Sequence, residues 1–117
     1  MTGTFEAGQV VTVFRSRLLG DPDPRYESLD EELRVRAGGL GGLVDLKSFV
    51  AEDGERLTVV TFADAASHER WATDPEHRRA QAMGRASVYD AYSIQVCECR
   101  RTLAFERGHD CDASPDT

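Results

Sequence analysis

The chain has 117 residues, which is enough for one domain with a single hydrophobic core. Its 14 lysines and arginines are outnumbered by 21 aspartates and glutamates, and the net charge of −7 opposes binding to nucleic acid or an anionic membrane. There is no long apolar run, no secretion-signal pattern and no disulfide framework among the three cysteines. We therefore expect a cytoplasmic protein with neither a nucleic-acid nor a membrane partner.

The first predicted element is a strand over residues 10–18, a run of β-branched and aromatic residues that ends at the sequence GDPDP. This break is expected to start a helix, with Asp23 capping free amides and Pro24 in the first turn. The glycines of GGLGG, residues 38–42, then end the helix. Its apolar residues recur at helical spacing: Tyr26, Leu29, Leu33 and Ala37.

Two strand-like runs follow, LVDLKSFVAE and ERLTVVTFA. They are joined through Asp53 and Gly54, a pair that tolerates the positive φ angles of a tight hairpin turn. We therefore predict a β-hairpin at this point.

The second half of the chain predicts two helices and a strand. Asp64 is expected to cap a short helix, and the pair Asp74-Pro75 to begin another that ends near Val88. The run AYSIQVCECRRTLAF, residues 91–105, is expected to form a long last strand.

The predicted order is β-α-β-β-α-β with the second helical region in two parts, which indicates a ferredoxin-like α+β fold. This fold has a four-stranded antiparallel sheet with helices on one face. The domain is expected to span residues 10–105, after an N-terminal lead over residues 1–9. A polar tail over residues 106–117 lacks periodicity and is expected to be disordered.

Both faces of the predicted sheet carry apolar side chains. Alternation along a strand places Val11 and Val13 opposite Val10 and Phe14, and Leu46 and Val50 opposite Leu43 and Phe49. Helices can cover only one face, so the other would expose an apolar surface. A second sheet from an identical subunit would cover it, which predicts a homodimer.

The last predicted helix carries small and polar residues on one face: His77, Ala80, Gln81, Gly84 and Val88. The small residues either let another backbone pack closely or leave a cavity between helix and sheet. Polar side chains beside Trp71 favour the cavity, because they are costly to bury without a partner or a ligand. Each residue also has an ordinary structural interpretation, Trp71 as a core aromatic and His77 as a surface residue of the first turn.

No metal site and no standard catalytic motif is predicted. The histidines at 68, 77 and 109 lack paired spacing, and Cys97 and Cys99 lie on one strand face without further ligands. The HDCD sequence from His109 is a weak candidate because it lies in the predicted tail. Motifs of phosphate-binding loops, dinucleotide-binding folds, serine hydrolases and zinc proteases are absent from the sequence.

Several segments, taken in order, resemble the antibiotic biosynthesis monooxygenase (ABM) domain family of the dimeric α+β barrel superfamily. They are VVTVFRSRL, GGLVDLKSFVAEDGERLTVVTFAD, Trp71, DPEHRRAQAMGR and YDAYSIQVCE, and they span about residues 10–105. The resemblance implies a homodimer whose sheets face each other. It also implies oxidation of a small aromatic or quinol-like substrate, such as a polyketide, by O2 without metal, haem or flavin.

The resemblance further implies roles for individual residues. Trp71 would pack on the substrate. The candidate catalytic residues, which would hydrogen-bond substrate oxygens or take up a proton, are Gln81, Arg85, Tyr89 and His77. The candidate substrate-binding residues are Trp71, Ala80, Gly84, Phe14 and Ser16.

A haem-degrading branch of the same superfamily has an asparagine on the first strand and a histidine about ten residues after the tryptophan. Here Ser16 and Gln81 occupy those positions, so the resemblance disfavours haem cleavage. Two other functions remain open: a non-enzymatic dimeric protein that binds a pathway intermediate, and a cyclase or isomerase that uses the same cavity without O2.

Overall fold

A computed structural model of the protein describes residues 5–108. Within this range the chain forms four strands and three helices. They are β1 (Val10–Leu18), α1 (Tyr26–Gly39), β2 (Leu43–Val50), β3 (Arg56–Phe62), α2 (Ala65–Ala72), α3 (Pro75–Ser87) and β4 (Tyr89–Glu98). The strands form one antiparallel sheet in the order β2-β3-β1-β4. The predicted ferredoxin-like fold is confirmed.

Helices α2 and α3 begin where the sequence predicts. The Asp64 carboxylate accepts the backbone N–H of Ser67 at 2.8 Å and its hydroxyl at 2.7 Å. The Asp74 carboxylate accepts the N–H of His77 at 3.0 Å, and Pro75 occupies the first position of α3. Both aspartates thus bind amides that have no partner within the helix.

Helix α1 begins later than predicted, at Tyr26, and no side chain caps it. Asp23 lies in the turn before the helix, where its carboxylate accepts the backbone N–H of Arg25 at 2.9 Å. The Arg25 guanidinium binds the same carboxylate at 2.9 Å. The Asp23 carboxylate thus binds Arg25 in the turn and no amide of the helix, so the prediction that it caps the helix is wrong.

The predicted hairpin joins β2 to β3. Gly54 has a φ of +90°, which a residue with a side chain rarely adopts. Asp53 accepts the N–H of Glu55 at 3.0 Å and the guanidinium of Arg17 at 2.7 Å, so the turn is also tied to β1.

The last strand ends at Glu98, earlier than the predicted residue 105. Its neighbour β1 begins at Val10, which pairs with Glu98, and one further pair of backbone hydrogen bonds connects Cys99 to Gly8 and Gln9 at 2.8 Å each. Beyond that point β1 offers no partner, so the apolar residues after Cys99 do not continue the strand.

The strand register sorts the sheet into rows of side chains on the helix face. From one end to the other the rows are Leu43–Phe62–Val10, then Leu46–Val60–Thr12–Val96, then Ser48–Thr58–Phe14–Ile94, then Val50–Arg56–Ser16–Tyr92. A register shift between Leu43 and Asp45 returns Leu46 to the face of Leu43. The prediction that these two leucines point to opposite faces is therefore wrong, because alternation does not anticipate a bulge.

The buried core occupies only one end of the helix face. Val10, Val60 and Phe62 are buried together, and Leu43, Leu46 and Trp71 pack against them. The remaining rows lack such packing, and together with the Val60 row they form the floor of a cavity. On the opposite face the register places Val11, Val13, Leu57 and Val59, as predicted for β1.

An ion pair connects α1 to the start of α3. Arg36 binds the buried carboxylate of Asp74 at 2.6 Å. The guanidinium lowers the pKa of Asp74, so this carboxylate keeps its charge while it caps α3.

Parts of three predictions lie outside the described residues: the lead over residues 1–4, the tail over residues 109–117, and the weak metal candidate from His109. None of the helices between residues 5 and 108 has the length and apolar character needed to span a membrane.

Candidate functional site

A cavity of about 360 Å³ lies between the sheet and the three helices. Its floor is the helix face of the sheet from the Val60 row to the Arg56 row, and all three helices contribute to its walls. Pockets of this size and mixed character are typical of small-molecule sites. The wall residues are Tyr26, Asp30, Leu33 and Arg34 from α1, His68, Trp71 and Ala72 from α2, and His77, Ala80 and Gln81 from α3.

Aromatic rings form one end of the cavity. Tyr89 contacts Phe14 edge to face with ring centroids 5.5 Å apart, and it contacts Tyr26 at 6.3 Å. Tyr92 packs against Phe14 at 5.4 Å. A bulge in β4 pairs Leu18 with Tyr89, and this bulge brings Tyr89 into the cavity wall.

His77 and Trp71 form a stacked pair at the other end. Their ring centroids are 3.9 Å apart and their planes differ by 19°. The Nδ1 atom of His77 lies 3.0 Å from the backbone carbonyl oxygen of Trp71. A carbonyl oxygen can only accept, so Nδ1 carries the hydrogen and Nε2 keeps a free lone pair.

Burial lowers the pKa of His77 below its usual value of 6.5. The neutral imidazole is therefore the form present at neutral pH, and it can accept a proton at Nε2.

The tyrosine at the other end has the opposite property. Burial raises the pKa of Tyr89 to about 12. Its phenol stays protonated at neutral pH and can donate a hydrogen bond, but it is a poor proton acceptor. Of the candidate catalytic residues, His77 fits the role of base and Tyr89 the role of donor.

Trp71 belongs to both the core and the cavity. It packs against the Val10, Val60 and Phe62 cluster, and it also lines the cavity. Because His77 stacks on it, the histidine extends this aromatic wall towards the cavity. The core and the cavity interpretations of Trp71 both apply.

Gly84 and Arg85 lie outside the cavity lining. A Cβ atom on Gly84 would lie 2.8 Å from Cε2 of Tyr89, so the space left by the glycine is filled by that ring and is not open to a ligand. Arg85 is exposed, and its guanidinium donates to the Tyr92 hydroxyl at 3.1 Å. Both residues therefore contact tyrosines of the aromatic end from outside.

The structure brings most of the predicted site residues together. Those that line the cavity are His77, Gln81, Tyr89, Trp71, Ala80, Phe14 and Ser16. Sequence reasoning missed several other lining residues, among them Tyr26, Asp30 and Leu46. Tyr26 was predicted on the apolar stripe of α1, so its position was available but its contact with the cavity was not.

Two arginines that the sequence analysis also missed lie beside the aromatic end. Arg34 on α1 donates to Asp30 at 3.0 Å and to the Ser48 hydroxyl at 2.7 Å. Arg56, the first residue of β3, is half-buried and lies over the Tyr26 ring, 5.9 Å from its centroid. The arginines add positive charge to a cavity wall that also contains the Asp30 carboxylate.

Residues 5–108 contain no group of three or more histidine, cysteine, aspartate or glutamate side chains placed to hold a metal ion. The histidines at 68 and 77 both line the cavity. His68 contacts Phe62 edge to face, with ring centroids 5.5 Å apart.

Comparison with solved structures finds the same fold in proteins of low sequence identity. SnoaB, a cofactor-independent oxygenase from Streptomyces nogalater, has a TM-score of 0.68 and 18% identity over 82% of this chain and 97% of that chain. A proposed antibiotic biosynthesis monooxygenase from Caulobacter crescentus has a TM-score of 0.69 and 11% identity over 81% of this chain and 92% of that chain.

A dimeric ferredoxin-like protein of unknown function from Jannaschia has a TM-score of 0.61 and 21% identity over 78% of this chain and 99% of that chain. No protein-family model matches the sequence, and a search of curated proteins gives no match. The similarity thus extends over the strands and helices, and the chain has the ferredoxin-like α+β fold found in these oxygenase and dimeric structures.

Proposed function

We propose that the chain is a cofactor-independent monooxygenase of the antibiotic biosynthesis monooxygenase type. It oxidises a small aromatic or quinol-like substrate with O2 in the cavity between sheet and helices. The observation that carries the proposal is the position of His77 in the cavity wall with its Nδ1 3.0 Å from the Trp71 carbonyl oxygen, which leaves Nε2 of the neutral ring as a proton acceptor. The fold shared with SnoaB supports the same activity.

Such a reaction needs a base and an enclosed apolar site, because an electron-rich carbanion or phenolate can itself reduce O2. For an anthrone, Nε2 of His77 removes a proton from the reacting CH2 group. The carbanion gives one electron to O2, and the radical and superoxide combine to a peroxide anion. The imidazolium returns its proton to form the hydroperoxide. Loss of the second C–H proton with cleavage of the O–O bond gives a ketone and water, so CH2 and O2 become C=O and H2O.

The other lining residues bind and orient the substrate. Trp71 and Phe14 offer apolar ring surfaces, while Ala80 leaves room on the α3 wall. Gln81 and Tyr89 line the cavity, and their amide and phenol groups hydrogen-bond substrate oxygens in this proposal. Arg85 acts indirectly through its hydrogen bond to Tyr92.

We also propose that the protein is a homodimer joined through the sheet face opposite the helices. That face carries Val11, Val13, Leu57 and Val59. Structural neighbours from Bacteroides fragilis and Jannaschia are described as dimeric, which supports the proposal.

The activity is tested with anthrone as the probe and an oxygen electrode. Protein pretreated with a metal chelator, with no flavin or haem added, is expected to consume one O2 for each anthrone converted to anthraquinone. The rate is expected to exceed that of the same protein after heat denaturation, which measures spontaneous oxidation.

Two results would contradict the proposal. Saturable anthrone binding with O2 uptake at the spontaneous rate would favour a binding protein. A requirement for added flavin, haem or metal would remove the cofactor-independent mechanism.

A further inference from the structure

Arg56 is a positively charged residue of the cavity lining. It lies in the same row of the sheet as Ser16 and Tyr92, at the aromatic end, and it lines the cavity. The contact of its guanidinium is with the face of the Tyr26 ring, at 5.9 Å from the centroid. A cation–π contact of this kind uses none of the N–H donors of the guanidinium in a hydrogen bond to oxygen, so they are available for a ligand.

Arg56 differs from six other arginines of this acidic chain in its partners. Within residues 5–108, six arginines form ion pairs with aspartate or glutamate: Arg15, Arg17, Arg25, Arg34, Arg36 and Arg79. Arg34, the other arginine of the cavity wall, is bound to Asp30. In the same range Arg56 has no carboxylate within ion-pair distance, although the chain has a net charge of −7.

A half-buried guanidinium without an ion pair favours an anionic ligand, and a carboxylate matches its planar fork. We propose that Arg56 binds the carboxylate of an acidic aromatic substrate and so fixes the direction in which the substrate enters the cavity. The inference rests on the proposed function and names its substrate class.

The geometry of the sheet gives the orientation. Arg56 and Val60 are four residues apart on β3, which separates them by about 13 Å. Trp71 packs on the Val60 end, and His77 stacks on Trp71. A substrate held by its carboxylate at Arg56 therefore places its far ring at His77, where the proton is removed.

Binding of two probes tests the proposal without any oxidation. 2-Naphthoate carries a carboxylate, and 2-naphthamide is its neutral analogue of nearly the same shape. Trp71 is the single tryptophan and lines the cavity, so quenching of its fluorescence reports occupancy. We expect 2-naphthoate to bind roughly tenfold or more tightly than 2-naphthamide, as for a charge-assisted hydrogen-bonded pair.

Variants assign the preference to Arg56. Arg56→Gln is expected to bring the affinities for the two probes within about twofold of each other, with 2-naphthamide little affected. Arg79→Gln removes an exposed arginine on α3 outside the cavity and is expected to keep the full preference. Arg56→Lys keeps the charge but not the planar fork and is expected to lose about threefold or more of the 2-naphthoate affinity.

A wild-type protein that binds both probes equally, or binds neither, would overturn the proposal, as would an Arg56→Gln variant that is folded and keeps the preference. If Arg56→Gln does not fold, Arg56→Lys decides: full 2-naphthoate affinity in that variant would overturn the bidentate contact. Because neither probe is consumed, a preference for 2-naphthoate together with no O2 uptake from anthrone would support Arg56 and contradict only the proposed oxygenase.

Discussion

Gly84 is a small residue for which the sequence left two structural roles open. Glycine on the α3 face was expected to leave room for a ligand, or else to permit close packing. The space beside it is filled by the Tyr89 ring, since an added Cβ would come within 2.8 Å of Cε2. The glycine therefore positions a residue of the cavity wall and does not itself border the cavity.

A substitution at this position tests that role. Gly84→Ala gains about 1 kcal/mol of helix stability, but overpacking against Tyr89 costs about 1–3 kcal/mol, so we expect a net loss. In a Tyr89→Ala background the ring is gone, and the same Gly84→Ala change is expected to stabilise the protein. Urea unfolding of the four proteins gives their free energies of unfolding, and hence the effect of Gly84→Ala in each background. Equal effects of Gly84→Ala in the two backgrounds would show that the ring is not what requires a glycine.

Burial gives His77 and Tyr89, two candidate catalytic residues, different chemical roles. Burial lowers the pKa of the histidine and raises the pKa of the tyrosine, so each stays neutral at neutral pH. A neutral imidazole accepts a proton, whereas a neutral phenol donates a hydrogen bond. The sequence placed both residues near the site, but it contained nothing that separates their roles.

At the level of the elements, local sequence signals placed the starts of α2 and α3 and the hairpin turn, although they misplaced the start of α1. Asp64 and Asp74 cap their helices, and Gly54 supplies the positive φ of the hairpin. These features depend on a few neighbouring residues, which the sequence displays directly. The end of β4 depends instead on where β1 begins, and the bulges that place Leu46 and Tyr89 depend on strand register, so neither follows from local patterns.

The two faces of the sheet have different roles. The helix face contributes residues to the core and to the cavity floor. The opposite face carries valines and a leucine from β1 and β3. Burial of such a surface against a second copy would remove apolar area from water.

Charge placed on this face tests the proposed dimer. We expect the wild-type protein to sediment at micromolar concentration as a dimer of 12.9 kDa chains, and Val59→Glu to sediment as a monomer. Val35→Glu, on the exposed side of α1, is a matched control that is expected to remain dimeric. A monomeric wild-type protein would contradict the proposed interface.

For the whole molecule, the fold was predictable from the order and character of its segments, and part of the cavity lining followed from the α3 face and the family resemblance. The sequence did not predict which residues far apart in the chain come into contact. Arg56 is separated from Tyr26 by 30 residues, yet the fold places its guanidinium over the Tyr26 ring, 5.9 Å from the centroid. The stacked His77 and Trp71 rings likewise depend on the turn between α2 and α3. Contacts of this kind determine the chemistry of the cavity.

The molecule as a whole is thus proposed to hold an acidic aromatic substrate between a binding end at Arg56 and a reacting end at His77. His77→Phe keeps a ring that can stack on Trp71 but has no lone pair to accept a proton. The variant is expected to bind 2-naphthoate normally and to lose at least about 100-fold in the rate of O2-dependent anthrone oxidation.

The wild-type rate is expected to fall as the pH drops through the pKa of His77, below its usual value of 6.5, because protonation removes the base. Arg79→Gln serves as the folded control and should keep the wild-type rate and pH profile. An oxygen-electrode measurement of anthrone turnover by wild-type protein and His77→Phe compares the two rates. Loss of turnover with binding intact is the predicted result, and wild-type turnover in a folded His77→Phe protein would contradict the assignment of His77 as the base.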